Sequence, residues 1–519
     1  WRGPDGSEVL CHWNAFTYSQ GDMLAYRGVA RVYMFPTALP DRSDRNIAGK
    51  IDGFAARLAA RSRTPYLCCP IGGDFVGPIP GLVSLLDRYN RGHYQSTGIW
   101  ALNAGLDDYL SLVDCYRDRL PVLELDPNPY WMGFYASRPS LKSRCHRAVE
   151  LLCLAEGVAL LSHNPDAGKA VAAELGDAWW HAVASNHHDF VTGTSRDATV
   201  DCEQSPWLEE ASAKAGAAIA RIAGEQSSTI TVSGGSVPEV VREDGKVEIR
   251  NGHYIVKLDE NAGGCVVGAW RLDTREPLLS GVSNDIVSYK DRGGLWRMGH
   301  EFRGGMFRET ARASDCLTHL DVSERDGALE VSCDVDLDGR TIRRRMLFRG
   351  DSPLIRMSAE GKAAEKRTLC VRFATGLSAD ALTMDVPGGV VIRPLRKWYD
   401  PTFWPAQGFV HVRDRASDRG VAVLLGMPGA VSCGEMGRLE AVALRNAVQE
   451  KMYGLMPIPA MPATGHERSS HTFEYALLFT GVGDWRGNSL DALSRKVVRA
   501  SLAGDGMGSL RSRVNESVM

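Results

Sequence analysis

The chain lacks any run of about 20 apolar residues, so a membrane-spanning helix is not expected. Its first residues have neither the charged start nor the hydrophobic stretch of a secretory signal peptide. Its twelve cysteines include no pair separated by two residues, which argues against a thiolate zinc knuckle and a thioredoxin-like motif. Most of the cysteines lie in apolar runs, so we expect buried free thiols and a reducing, cytoplasmic compartment.

An excess of charge of either sign is also missing. The 60 basic and 63 acidic residues give a net charge of -3 and are spread along the chain. This balance argues against a nucleic acid or an anionic membrane as the partner and favours a neutral small molecule. Internal repeats and low-complexity tracts are absent as well. Since 44% of the 519 residues are hydrophobic, the chain can bury several cores in roughly two to four domains.

Hydrophobic periodicity divides the chain into three regions. In residues 1–120, short apolar runs at 64–71 and 96–102 alternate with amphipathic helical segments. This alternation is typical of strand-helix units in a parallel sheet. Because the region is too short for a whole barrel, we predict that it forms part of an α/β barrel.

Residues 121–225 and 226–519 show two different patterns. The first of these regions has three amphipathic segments, each long enough to bury an apolar stripe in a three-helix bundle: 138–162, 166–188 and 206–224. The second alternates apolar and polar residues between Gly, Asp and Asn turns, which predicts an antiparallel β-sandwich. The predicted fold class is therefore multidomain: a partial α/β barrel, an all-α bundle and an all-β domain.

Two adjacent histidines and a carboxylate stand out in the sequence NHHDFVTGTS at 186–195. The apolar residues before them follow helical spacing, so His187 and His188 should lie at the C-terminal end of a helix. A neutral imidazole there can bind a divalent metal, and the carboxylate of Asp189 can accept hydrogen bonds from hydroxyls. The alternative is that a histidine satisfies the last helical carbonyls while Asp189 caps the next turn. Spacing alone leaves both interpretations open.

The motif resembles the His-His-Asp-x-x-x-Gly-Thr signature of glycoside hydrolase family 38, the zinc-dependent retaining α-mannosidases. Four further segments resemble elements of that family: GDF at 73–75, YWMGFYASRP at 130–139, MDVPGGVVIRP at 384–394 and WPAQ at 404–407. The resemblance implies a barrel, a three-helix bundle and a C-terminal β domain. It also implies one zinc ion as cofactor and an α-mannoside oligosaccharide as substrate.

Carried over residue by residue, the resemblance assigns roles to four polar side chains. His188 would bind the zinc ion, while His187 and Asp189 would bind the sugar. Asp74 would be the general acid/base, which protonates the glycosidic oxygen and later activates water. From the residues alone, two interpretations of Asp74 are open. It follows an apolar run, and catalytic residues of α/β barrels lie at the ends of such strands. Alternatively, it only shapes a Gly-rich turn.

Two aromatic residues complete the candidate site. Trp131 matches a tryptophan that lines the sugar site of the family, and its indole could stack on the C–H groups of a pyranose. The alternative is ordinary core packing, as for many tryptophans near the start of a helix. Tyr18, which matches the family only loosely, would also reach the sugar.

The sequence departs from the family in its zinc ligands. The resemblance implies an N-terminal His-x-Asp pair and an Asp nucleophile as further zinc ligands, and neither is found ahead of the His-His-Asp motif in this sequence. One imidazole with a carboxylate cannot complete a four-ligand zinc site. Residues 1–7 resemble a family segment that follows the nucleophile, so we expect the chain to begin inside a longer protein and to be inactive alone. The expected function of the complete protein is hydrolysis of terminal α-linked mannose. Action on another α-linked sugar and a noncatalytic carbohydrate-binding or scaffold role are the alternatives, and assembly as a homo-oligomer is left open.

Overall fold

The chain divides into two compact units, Trp1–Leu125 and Asp126–Met519. The computed structural model describes residues 1–3, 5–27, 31–32, 35–36, 38–73, 76–124, 131–161, 165–225, 236–298, 307–325, 327–395, 402–414, 417, 419–447, 451–452, 456–457 and 463–504. Among these residues, no helix combines the length and the apolar character that crossing a membrane requires.

The described residues of the first unit form helices and short antiparallel ladders. The helices are α1 (Asp44–Ala59), α2 (Leu82–Thr97) and α3 (Leu106–Asp114). The ladders pair β1 (Tyr26–Arg27) with β4 (Leu39–Pro40), and β2 (Arg31–Val32) with β3 (Phe35–Pro36). The hydroxyl of Ser43 accepts a hydrogen bond from Asn46 N and caps α1, whose apolar face packs on α2 in one core.

The predicted strands at 64–71 and 96–102 are wrong, because neither segment is a strand in the structure. Their backbone groups bind partners outside any ladder. The side-chain amide of Asn90 accepts from Ala101 N at 2.8 Å and donates to Ala101 O at 2.7 Å. Gly21 N donates to Pro70 O at 2.7 Å. The described residues of this unit contain no parallel strand pair, so the predicted barrel segment is not confirmed.

Helices begin the second unit, and one more lies near its end. They are α4 (Pro139–Leu161), α5 (Pro165–Glu174), α6 (Gly176–Ser185), α7 (Asp197–Thr199), α8 (Ser205–Glu225) and α9 (Leu490–Gly504). The segment predicted as one helix over 166–188 is divided at Leu175. Gly176 follows that break, and glycine is among the weakest helix formers.

The helices α4, α5, α6 and α8 share one hydrophobic core. Alanines line the inner face of α8 at helical spacing, and Ala211, Ala215 and Ala218 have no exposed surface. Side chains of this size let two helix backbones approach closely, and α4 packs along α8. Helical periodicity in the sequence therefore marks the faces that are buried.

Antiparallel strands outnumber helices in the second unit. They are β5 (Glu239–Glu243), β6 (Lys246–Arg250), β7 (Tyr254–Asp259), β8 (Cys265–Arg271), β9 (Asp285–Lys290), β10 (Arg308–Arg312), β11 (Asp321–Arg325), β12 (Ala328–Leu337), β13 (Arg340–Phe348), β14 (Leu354–Gly361), β15 (Arg367–Phe373), β16 (Ala381–Val386), β17 (Gly389–Pro394), β18 (Phe403–Ala406), β19 (Phe409–Asp414), β20 (Arg419–Leu425), β21 (Gly429–Cys433), β22 (Leu439–Asn446), β23 (Lys451–Met452), β24 (Met456–Pro457) and β25 (His471–Thr480).

Three large sheets arise from these strands in the described residues. Their strand orders are β5-β6-β7-β8, β10-β9-β15-β22-β21-β18 and β11-β12-β13-β14-β25-β20-β19-β16-β17. Along β12, β13 and β14 buried and more exposed residues alternate, so one face of the nine-stranded sheet covers a core that all three sheets share. β22 is buried along its whole length and lies in the interior of the six-stranded sheet.

A buried, ion-paired arginine of this six-stranded sheet also contacts the segment just before α4. Arg445 of β22 is 0% exposed, and its Nε lies 2.8 Å from Oδ2 of Asp291, which is 1% exposed. The same guanidinium donates to the carbonyls of Gly294 and Arg297 and to Oγ of Ser137. Ser137 Oγ in turn donates to the carbonyl of Leu295. The charge of Arg445 is thus balanced by Asp291, and its hydrogen bond to Ser137 Oγ holds the segment just before α4 against the β region.

Buried His411 is expected to make the stability of the protein depend on pH. The residue is 2% exposed on β19, where Nε2 lies 2.9 Å from Thr480 Oγ1. Burial, and secondarily the charge of Arg413, lowers the pKa of His411 to about 4. Between pH 6.5 and 4 the unfolded chain therefore binds a proton that the folded chain does not. The free energy of unfolding should fall as the pH falls through this window, by at most about 3 kcal/mol from this one group.

Urea unfolding at pH 6.5, 5.5 and 4.5 measures this effect when wild type is compared with His411→Gln. The glutamine amide can occupy the place of Nε2 without titrating. The variant should show the shallower pH dependence, and equal slopes would remove His411 as the cause.

Candidate functional site

The His-His-Asp segment lies in a tight turn directly after α6. The helix ends at Ser185 and is capped by Asn186, whose side-chain amide and backbone N–H both donate to the carbonyl of Ala182. The N–H groups of Phe190 and Val191 donate to His187 O, at 2.8 Å and 3.1 Å. The prediction that the histidines follow the end of a helix is confirmed.

Hydroxyl groups of the same turn bind its own carbonyls. Thr192 Oγ1 donates to His188 O at 2.8 Å, and Ser195 Oγ donates to Asp189 O at 2.7 Å. Thr194 Oγ1 also donates to Asp189 O, at 3.2 Å. These bonds explain why the histidines are followed by Thr, Gly, Thr and Ser, since short hydroxyl side chains close a turn by local hydrogen bonds.

The side chains of His187, His188 and Asp189 form a cluster of potential ligands. One donor atom from each lies within 4.8 Å of the others, and all three residues are exposed. Among the described residues, no second group of three histidine, cysteine or acidic side chains meets in this way. The Nε2 atom of His188 lies 3.6 Å from Oδ2 of Asp189.

The two histidines have different hydrogen bonds. Nδ1 of His187 accepts from the backbone N–H of Asp189 at 3.2 Å, so in the neutral ring Nε2 carries the proton. His187 is therefore suited to donate a hydrogen bond to a ligand hydroxyl. His188, whose side chain is 83% exposed, presents Nε2 beside the carboxylate of Asp189.

These donors fit part of a zinc site. With bonds of about 2.1 Å, tetrahedral ligand atoms around zinc are separated by about 3.4 Å, close to the observed spacing of His188 Nε2 and Asp189 Oδ2. Imidazole and carboxylate are also ligand types that zinc takes in proteins. A four-ligand site needs at least one more donor than this cluster contains.

The turn rests on the segment that precedes α4. Gly193 has a φ of +80°, and a Cβ added there would lie 2.6 Å from Ser137 O, so a larger residue would push the two backbones apart. Arg138 Nη2 donates to Ser195 O at 2.9 Å, and Lys142 Nζ donates to Val191 O at 2.6 Å. Sequence reasoning missed Lys142. No local pattern in the sequence links it to Val191.

Trp131 is 38% exposed and belongs to an aromatic cluster in the second unit. Its ring meets Trp296 edge-on, with centroids 4.9 Å apart, and meets Phe134 at 5.6 Å. Gly133 N donates to Trp296 O, and a Cβ on Gly133 would lie 2.4 Å from the same backbone. Trp131 is thus packed against a loop of the β region while part of its indole stays accessible. Trp296 has no signal in the sequence that links it to Trp131.

The remaining predicted site residues belong to the first unit. Asp74 lies outside the described residues. The backbone before it is held by the buried carboxylate of Asp22, which accepts from Gly72 N at 3.1 Å and from Gly73 N at 2.7 Å. Tyr18 is exposed, just before a short 3-10 helix at Gln20–Met23.

Comparison with known proteins adds family evidence to this geometry. The family model of the alpha mannosidase middle domain matches residues 129–224, which include the His-His-Asp turn and the helices around it. The epididymis-specific alpha-mannosidase of Homo sapiens is 31% identical over 158 residues, which cover 26% of this chain and 15% of that protein. The matched region therefore spans a small part of that relative.

Two crystal structures from Enterococcus faecalis have a similar fold. An alpha-mannosidase of strain V583 aligns with a TM-score of 0.67 and 14% identity, and a protein in glycosyl hydrolase family 38 aligns with a TM-score of 0.65 and 13% identity. Each alignment covers 88% of this chain and 68% of the other. The chain is thus similar in sequence to an alpha-mannosidase middle domain over 129–224, and similar in fold to these two structures.

These matches agree with the resemblance to glycoside hydrolase family 38 seen in the sequence. The fold match is consistent with the mixed architecture of helices and antiparallel sheets that the structure has. Three of the predicted site residues, His187, His188 and Asp189, meet in one cluster within the matched segment.

Proposed function

We propose that the complete protein hydrolyses terminal α-linked mannose from oligosaccharides by a zinc-dependent retaining mechanism. The observation that carries the proposal is the convergence of three potential ligand groups in one turn within the segment that the alpha mannosidase middle domain model matches. Their exposure supports it, since a substrate and an ion must reach them. We also propose the domain boundaries 1–120 for a part of the catalytic barrel, 121–225 for a helical middle domain and 226–519 for a β-sandwich domain.

His188 would hold zinc through Nε2, together with ligands outside the cluster. The bound ion would supply Lewis-acid stabilisation of charge beside the sugar. His187 would donate its Nε2 proton to a sugar hydroxyl, and the carboxylate of Asp189 would accept a hydrogen bond from another hydroxyl. The accessible part of the Trp131 indole would cover the C–H face of the sugar and exclude water from it.

Asp74 would be the general acid/base. Its protonated carboxyl would donate to the glycosidic oxygen while a nucleophilic carboxylate, which none of the residues named above supplies, forms a bond to the anomeric carbon and the leaving group departs. The resulting Asp74 carboxylate would then take a proton from the water that displaces the sugar from that nucleophile. Such a residue must keep one position through both steps. The two hydrogen bonds from Gly72 and Gly73 to buried Asp22 fix the chain immediately before it. Tyr18 would lie near the same sugar.

Turnover of an aryl α-mannoside by the complete protein tests the proposal. We expect release of α-mannose as the first product, loss of turnover after incubation with a chelator, and recovery with zinc. The configuration of the first product can be read by NMR before the sugar mutarotates. Turnover that a chelator does not affect would contradict a role for zinc, and β-mannose as the first product would contradict retention.

Parallel assays separate the alternatives. Hydrolysis of another aryl α-glycoside in preference to the mannoside would replace mannose by that sugar. Binding of mannosides without hydrolysis, in a protein loaded with zinc, would support the noncatalytic carbohydrate-binding role instead.

A further inference from the structure

The amine of Lys142 joins the two segments that meet at the candidate metal turn. It lies on the first turns of α4 and donates to Val191 O at 2.6 Å and to Ser137 O at 2.8 Å. We propose that Lys142 is a positioning residue, which holds the 187–191 turn on the start of α4 and so sets the place of the donors on His187, His188 and Asp189. This role rests on the proposed function of those donors.

The carbonyl that Lys142 holds is coupled directly to the cluster. Val191 stands two residues after Asp189, and its own N–H donates to His187 O at 3.1 Å. A displacement of Val191 would therefore pull on the backbone of His187. No side chain of the cluster is itself buried, so the placement of the three donors depends on the backbone beneath them.

The other partner of Lys142 provides a fixed base. Ser137 has no exposed surface, and its hydroxyl lies between the guanidinium of Arg445 and the carbonyl of Leu295. Because Arg445 is paired with Asp291 in the interior of the β region, Ser137 cannot move without disturbing a buried ion pair. The amine thus ties the turn to one of the most enclosed points of the second unit.

A second contact acts beside the amine. Gly193 approaches Ser137 so closely that an added Cβ would lie 2.6 Å from Ser137 O, and Arg138 Nη2 donates to Ser195 O. These contacts hold the far end of the turn, whereas Lys142 holds its middle. Losing the amine should therefore loosen residues 187–193 without detaching the whole segment.

The amine of Lys142 can make both hydrogen bonds at any pH near neutrality. Burial, with the charges of Arg445 and Arg138, lowers the pKa of Lys142 to about 7. Both the charged and the neutral amine have at least two N–H groups, which is the number that the two carbonyls need. The role depends on the hydrogen bonds and is independent of the charge.

Hydrogen exchange of the purified chain tests the role without any metal. In Lys142→Met the N–H groups of Phe190, Val191 and Gly193 should exchange about tenfold faster or more, while the amides of α8 and of β22 keep their rates. Lys169→Met, which removes an exposed amine from α5, is the matched control. Lys142→Arg retains N–H donors and should restore part of the protection.

Zinc affinity of the complete protein gives the second measurement. Lys142→Met should weaken it by about 10-fold to 100-fold, the range for residues that orient metal ligands, and Lys169→Met should leave it unchanged. If Lys142→Met does not fold, Lys142→Gln, which keeps a shorter donor, is measured in its place. Unchanged exchange in the turn, or equal exchange in the Met and Arg variants, would overturn the role of Lys142.

The two proposals fail in different ways. If His188→Ala binds zinc as tightly as wild type, the proposed metal site is wrong, while the exchange measurement still decides whether Lys142 holds the turn. If His188→Ala loses zinc but Lys142→Met binds it normally, the metal site stands and the positioning role is wrong.

Discussion

Asp74→Asn should lower kcat of the complete protein on an alkyl or weakly activated aryl α-mannoside by about 100-fold to 10,000-fold, the range for a lost general acid/base. Asparagine keeps the size of the side chain but has no proton to give to the leaving oxygen. Steady-state kinetics on zinc-loaded protein measures the effect. Asp107→Asn, at an exposed position in the first turn of α3, is the matched control and should change kcat little.

The choice of leaving group tests the same role more sharply. The dinitrophenolate group of a dinitrophenyl mannoside departs with little help from an acid. In Asp74→Asn, kcat/KM for this substrate should therefore fall much less than kcat/KM for a nitrophenyl mannoside. An equal loss on both substrates would point to damaged folding or binding. A loss below about threefold on the poorer leaving group would remove Asp74 from the mechanism.

His188→Ala should abolish stoichiometric zinc in the complete protein and remove nearly all of its turnover. The change deletes a direct ligand, so the loss of affinity should exceed the roughly 100-fold that is typical when only a supporting residue is removed. Zinc content after dialysis, measured by mass spectrometry, and turnover at saturating zinc are the two measurements. One retained zinc per chain would show that His188 is not a ligand.

His187→Asn is the matched variant for this experiment. The asparagine Oδ1 can accept the Asp189 N–H bond that Nδ1 of His187 accepts in wild type, so the turn should keep its shape. We expect zinc content to stay near that of wild type and KM for the mannoside to rise, because a donor to the sugar is lost. If both histidine variants lose zinc equally, the assignment of one to the metal and the other to the sugar is wrong.

Local patterns in the sequence predicted elements well where periodicity is strong. The helical segments around α4, α6 and α8 have clear buried faces, and the structure contains them. The apolar-polar alternation over 226–519 predicted antiparallel strands, and the described residues there form them. The strands predicted from the apolar runs at 64–71 and 96–102 were wrong. An apolar run of that length has the same composition whether it pairs in a sheet or covers a helix. Sheet order was also beyond prediction, since β14 pairs with β25, more than a hundred residues later.

The candidate site shows the same division. His187, His188 and Asp189 are neighbours in sequence, so their motif could be recognised and their meeting in space follows from one turn. Lys142 and Trp296 could not be found, because their contacts with Val191 and Trp131 join segments far apart in the chain. How the helices pack on the β region decides which aromatic or lysine side chains contact the His-His-Asp turn and Trp131. The composition of the sequence does not predict that packing.

The buried contacts of Arg445 also bear on how the second unit unfolds. The guanidinium receives its counter-charge from Asp291 and two carbonyl acceptors from Gly294 and Arg297, all in the β region, whereas Ser137, just before α4, supplies a further acceptor. Melting the helical part alone would leave one donor of this buried guanidinium without its acceptor, at a cost of about 1–3 kcal/mol. This contact therefore favours loss of helices and sheets in one cooperative transition. A substitution in β22 that lowers the free energy of unfolding should then also lower the fraction of chains in which the His-His-Asp turn is folded.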